Sequence, residues 1–157
     1  MKRTILIFIS VLIVFSGGWL SCKKKLNGSL LFEKVILGGC ETQYDLDDQT
    51  RGGGDPIVII SVSEEFINIF VKHYYICKLV PFEARVEATK DNIIYMYIID
   101  TCDDILEPSG CYERCYCEYT VDFVFKYEES INQKYKILLL DPRQDNPIII
   151  SEGVITI

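Results

Sequence analysis

Residues 115–127 read CYCEYTVDFVFKY, and this stretch decides the fold. Tyr119, Val121, Phe123, Phe125 and Tyr127 alternate with Thr120, Asp122, Val124 and Lys126, the period of two that a strand with one buried face requires. Aromatic and β-branched residues dominate it, as a pleated surface favours. A helix would scatter these side chains around its whole circumference.

Working outward, the same period recurs in Phe82, Ala84, Val86 and Ala88, set against Glu83, Arg85, Glu87 and Thr89. Short apolar runs follow suit at 58–62, 66–75, 93–99, 135–140, 147–150 and 154–157. Turn residues separate them: Thr89-Lys90-Asp91-Asn92, Asp141-Pro142-Arg143 with Asp145-Asn146-Pro147, and Glu152-Gly153. About eight or nine strands joined by hairpins predict an all-β domain, an antiparallel β-sandwich or a small barrel. An immunoglobulin-like topology is among the arrangements this pattern allows. Gly38 to Pro56 is the longest stretch without alternation, and it reads as an irregular loop whose start Cys40 pins.

The N-terminus has a different character. Lys2 and Arg3 precede an uncharged apolar run from Ile5 to Phe15, then the helix breakers Ser16, Gly17 and Gly18, the layout of an export signal. Trp19-Leu20-Ser21-Cys22 follows, with a small residue directly before a cysteine. On these residues the chain resembles bacterial lipoprotein precursors, whose cleavage box usually reads Leu, a small or branched residue, Gly/Ala/Ser and Cys. Ser21 and Cys22 match, whereas Trp19 stands where Leu is usual and Leu20 where Ala or Ser is usual. The resemblance implies a signal peptide at residues 1–21, lipidation of Cys22, and anchorage to a bacterial membrane, the outer one being favoured. An ordinary signal cut after Gly18 and an uncleaved anchor are the rival readings. Ile5 to Leu20 would make a helix of about 24 Å, short of the roughly 30 Å hydrocarbon core. More than one acyl chain makes such an anchor stable, and Lys23, Lys24 and Lys25 add attraction to anionic headgroups. Residues 22–30 read as a flexible tether and 31–157 as a single β-domain.

Removing Lys2 and Arg3 from the 16 basic residues leaves 14 against 23 acidic ones, a formal balance of −9, so nucleic acid is excluded as a natural partner. Of seven cysteines, six lie beyond Cys22: Cys40, Cys77, Cys102, Cys111, Cys115 and Cys117. An even number in an exported chain predicts three disulfides. Cys115 and Cys117 would share one face of a strand and so reach different partners. Cys40 with Cys77, and two bridges within the remaining four, is the expected split. Zinc held by Cys111, Cys115 and Cys117 is the competing reading of that spacing.

Asp100-Thr101-Cys102, followed after a loop by residues 115–127, is similar to the C-terminal halves of small lipoproteins of Bacteroidetes type. That similarity implies a β-sandwich in which a cysteine-ended strand joins a C-x-C strand, and it implies no activity.

Catalytic candidates each have a blander reading. His73, the single histidine, would have to serve any Ser-His or Cys-His system, and no nucleophile stands beside it in sequence. Asp103, Asp104 and Glu107 read as a solvated turn rather than a glycosidase pair. Asp45, Asp47 and Asp48 fail the EF-hand pattern, since Thr50 takes the glycine position and Pro56 that of the bidentate glutamate. Tyr74, Tyr75, Tyr95, Tyr97, Tyr112, Tyr116 and Tyr119 could instead build a recognition face. P-loop, dinucleotide, H-E-x-x-H and G-x-S-x-G motifs are absent. The expectation is therefore a noncatalytic envelope domain without cofactor or metal, binding a protein or glycan. The alternative is an inhibitor or immunity-type lipoprotein that inserts the loop Asp103 to Tyr116 into an envelope enzyme.

Overall fold

The computed structural model describes residues 30–45, 54–78, 80–88, 93–102 and 111–157. They form eight strands: β1 (Leu30–Asp45), β2 (Ile57–Val62), β3 (Phe66–Lys78), β4 (Glu83–Ala88), β5 (Ile93–Ile99), β6 (Tyr112–Tyr127), β7 (Asn132–Leu140) and β8 (Ile148–Thr156). These make two four-stranded sheets, ordered β1-β6-β3-β2 and β4-β5-β7-β8. The chain is thus a disulfide-stabilised β-sandwich.

The alternation in residues 115–127 has the expected consequence. Val121, Phe123 and Phe125 are sealed from solvent, and β6 runs between β1 and β3, antiparallel to both. Facing them across the sandwich are Ile94, Met96 and Ile98 of β5 and Ile137 of β7, each 0% exposed, while Ile67, Ile69 and Val71 extend the layer along β3. Each such side chain contributes roughly 1.5–3 kcal/mol of burial, so this double layer is the main source of stability. On β6 the residues of opposite parity, Thr120, Asp122, Val124 and Lys126, take the outer face and are mostly polar.

Three hairpins follow sequence order, β2-β3, β4-β5 and β7-β8. One pair departs from the antiparallel expectation: β5 and β7 run parallel. Between them the chain crosses to the other sheet as β6 and returns, and a strand that returns through the opposite layer has no hairpin to reverse it.

Two turn assignments need correction. Gly38 to Asp45 does not begin an irregular loop but continues β1 along β6, with register shifts between Leu37 and Thr42 where Cys40 is bonded to β6. Gly38 is needed there because a Cβ would lie 2.0 Å from Oγ1 of Thr120. Glu152-Gly153 is also no turn, for it sits inside β8 opposite Lys136 and Tyr135. The Tyr135 ring covers Gly153 so closely that a Cβ would meet it at 2.9 Å. The Asp141 to Pro147 segment does turn between β7 and β8. β1 starts at Leu30, 1% exposed, one residue before the expected domain boundary. The expected signal peptide at 1–21, Cys22 and the tether up to residue 29, Asp47, Asp48, residues 89–92 and Asp103, Asp104 and Glu107 lie outside the described residues.

Candidate functional site

The cysteines define one end of the sandwich. Cys40 is bonded to Cys117, Cys77 to Cys115 and Cys102 to Cys111. Cys115 and Cys117 do reach different partners, but the expected Cys40–Cys77 bridge does not form, because β6 lies between β1 and β3 and its two cysteines intercept both. Zinc ligation by Cys111, Cys115 and Cys117 is overturned as well, since each sulfur is committed to a bridge.

Beside the bridges lies a polar cluster joining both sheets. Asp100, at the end of β5, receives Nζ of Lys78, the Cys102 amide at 3.0 Å and the Tyr112 hydroxyl at 2.7 Å. The Lys78 and Asp100 side chains are both fully withdrawn from solvent. Burial alone would push the Asp100 carboxyl up, yet Lys78, the Cys102 amide and the tyrosine hydroxyls outweigh it and hold the group below its ordinary value. Asp141 is gripped by Arg143 through Nε at 2.8 Å and Nη2 at 2.7 Å, and accepts the Tyr75 hydroxyl at 2.7 Å. The Arg143 contact lowers the Asp141 pKa to about 2. Arg143 also approaches Asp100 at 3.7 Å and stacks over Tyr112. Two acids and two bases therefore balance within the cluster, which makes it a clasp between the sheets. Asp100 and Tyr112 carry it, and sequence gave no sign of Asp100 except its place before Cys102.

His73 stands apart from this chemistry. It is 2% exposed between Phe82, ring centroids 5.2 Å apart, and Tyr119, 6.0 Å apart, and its Nε2 meets no hydrogen-bond partner among the described residues. Burial, with a smaller contribution from the Lys78 charge, lowers its pKa to about 4. His73 is thus packed as part of the core, within an aromatic pocket. Because the folded value lies below 6.5, this histidine supports folding fully above pH 6.5 and loses that support as pH falls towards 4. Unfolding free energy should fall across that window by an amount on the order of 3 kcal/mol. Denaturant titrations should show the slope in the native chain and its absence in His73→Phe. The same slope in both would assign it elsewhere.

The tyrosines do not form one recognition face. Tyr119 is buried, Tyr75 and Tyr112 belong to the clasp, and Tyr95 and Tyr97 stack on the outside of the second sheet, 6.2 Å apart. Tyr74 lies on the outside of the first sheet, 6.2 Å from Tyr44.

On that first outer face a groove of about 330 Å³ is lined by Lys34, Ile36, Ser63, Phe66, Asn68, Asp122 and Val124. Ile36 and Phe66 are exposed there, and one Asp122 carboxylate oxygen, shielded from solvent, finds no partner among the described residues.

Among the four edge strands described, all but β4 expose large hydrophobics, and β2 alone has neither a charge nor a register shift. β1 is broken by register shifts and carries Glu33, Lys34 and Glu41; β4 carries Glu83, Arg85 and Glu87; β8 contains Glu152 and a bulge at Ile150. Charges and bulges of this kind keep an edge from recruiting a foreign strand. β2 reads IVIISV, holds an unbroken register against β3, and is paired on its other side with none of the described residues. Ile57, Ile59, Ile60 and Val62 are 47%, 54%, 36% and 49% exposed. Ile60 and Val62 stand opposite the sealed Ile69 and Ile67, so β2 overhangs the second sheet and leaves apolar surface on both faces.

Fold and edge together define a disulfide-stabilised β-sandwich with one edge strand, β2, that none of the described residues covers. No family model, no curated protein and no solved structure matches the chain.

Proposed function

We propose that the chain is a noncatalytic interaction domain of a bacterial cell envelope, exported on residues 1–21 and tethered to the membrane by lipid on Cys22. The observation that carries the interaction reading is the β2 edge, which carries no charge or bulge and is covered by none of the described residues. A folded domain normally blunts such an edge, and here the other three are blunted by charge or bulge. The tether reading draws support from the bridges, which use six of the seven cysteines and suit an oxidising compartment.

Intact mass of the protein from membranes, with and without reductant, tests the tether. The expected result is a chain starting at Cys22 that carries acyl mass and gains six hydrogens on reduction. A chain starting at Trp19 without acyl mass would overturn it. The inhibitor reading loses part of its expected loop, Asp103 to Tyr116, because Tyr112 to Tyr116 belong to β6, and it keeps one observation of its own, the Cys102–Cys111 bridge that joins the two sides of that segment. Inhibition of a lysozyme or a protease by the chain would favour it.

A further inference from the structure

We infer that β2 accepts an extended, basic-ended segment of a partner protein as a fifth strand of the first sheet. This inference rests on the interaction reading above and names the chemistry of the partner. A strand added to a sheet edge gains main-chain hydrogen bonds along its length, while alternate side chains settle on the two faces of the sheet. Both faces are prepared here: Ile57 and Ile59 lie on the outer side with Phe70, and Ile60 and Val62 overhang the inner side. An incoming strand rich in β-branched residues would cover all four.

The ends of β2 select what enters. Asp55 precedes the strand and Glu64 and Glu65 follow it, all exposed, with no charge between them. Glu65 is shared with Lys126 at 3.2 Å, whereas Glu64 shows no ion pair among the described residues. A second copy of this chain is a poor occupant, because antiparallel self-pairing of Ile57 with Val62 sets Asp55 of one copy opposite Glu64 of the other. Like charges directly opposed destabilise a strand pair. The net charge of −7 adds to the repulsion. A segment with an apolar centre and Lys or Arg at both ends meets the opposite arrangement, attraction at each end and burial in the middle.

The test uses the full chain in detergent micelles and two synthetic peptides. Both have a Val-Thr-Val-Thr-Val centre, one with lysines at its ends and the other with glutamates. Fluorescence anisotropy should show the lysine-ended peptide binding at least about tenfold more tightly, the consequence of reversing several cross-strand charge pairs. Hydrogen exchange should slow at amides of β2 and remain unchanged at β4 and β8. Ile59→Lys combined with Ile60→Lys should weaken binding about tenfold or more with the thermal transition intact. The milder Ile59→Thr serves should that pair fail to fold.

Equal binding of the two peptides would overturn the selection by charge. Failure of both to bind, with β2 amides unprotected, would overturn strand addition and leave the interaction reading to the groove around Asp122. Concentration-dependent dimerisation with β2 protected would make a second copy the occupant and reject the basic segment.

Discussion

Replacing Cys40 and Cys117 together by alanine should lower the unfolding free energy by about 4.5 kcal/mol, more than removal of either other bridge. The loops closed by the three disulfides span sequence separations of 77, 38 and 9 residues. If restriction of the unfolded chain dominates, their contributions rank in that order, at about 4.5, 4 and 2.5 kcal/mol. A domain of this size is stable by only about 5–15 kcal/mol, so loss of the first bridge alone brings unfolding within reach of mild conditions. Cys40 is the exposed member of the set, whereas Cys77, Cys115, Cys102 and Cys111 are buried. Its bridge should therefore also be the first opened by a reductant. Chemical denaturation of the three double variants gives the ranking, and mass spectrometry during partial reduction gives the order of opening. Should Cys102 and Cys111 matter most, native packing around the clasp rather than loop closure would govern stability.

Much of this architecture is written locally. Period-two alternation in 115–127 and 82–88 marks strands because each side chain's face depends only on its position along the chain. Two signals misled for the same reason, that they depend on neighbours far away in sequence. Gly153 looks like a turn until Tyr135 is laid over it, and Gly38 to Asp45 looks irregular until β6 supplies its hydrogen-bonding partner. The Cys40–Cys77 guess failed likewise, since spacing cannot say that β6 comes between β1 and β3. The edge character of β2 was equally hidden: IVIISV reads as a core strand, and only the sheet order leaves it outermost. Asp100 and Asp141 gave no motif because their partners, Lys78, Tyr112, Tyr75 and Arg143, come from other strands and turns.

Replacing Asp100 by asparagine should destabilise the domain by about 3–5 kcal/mol, the loss expected when one member of a buried ion pair is removed and the other stays behind. The change keeps the size of the side chain and an oxygen for the Cys102 amide, so the effect isolates the charge. Lys78 would then sit fully enclosed over the Phe82 ring, 4.1 Å from its centroid, with no carboxylate on its Nζ. Removing both charges, Asp100→Asn with Lys78→Met, should recover most of the loss, because a neutral pair of similar volume carries no unpaired ion. A double-mutant cycle measured by urea unfolding separates the two cases. A loss below about 1 kcal/mol in Asp100→Asn would mean that Tyr112 and water satisfy Lys78 without the acid, a magnitude typical of exposed pairs. The expected larger loss would show that the sheets are joined by charge at the cysteine-rich end, as they are joined by Phe123, Phe125 and Met96 through the middle. That division of labour leaves β2, which supplies only the half-buried Val58 to the core and takes no part in the clasp, able to exchange solvent for a partner strand without disturbing the fold.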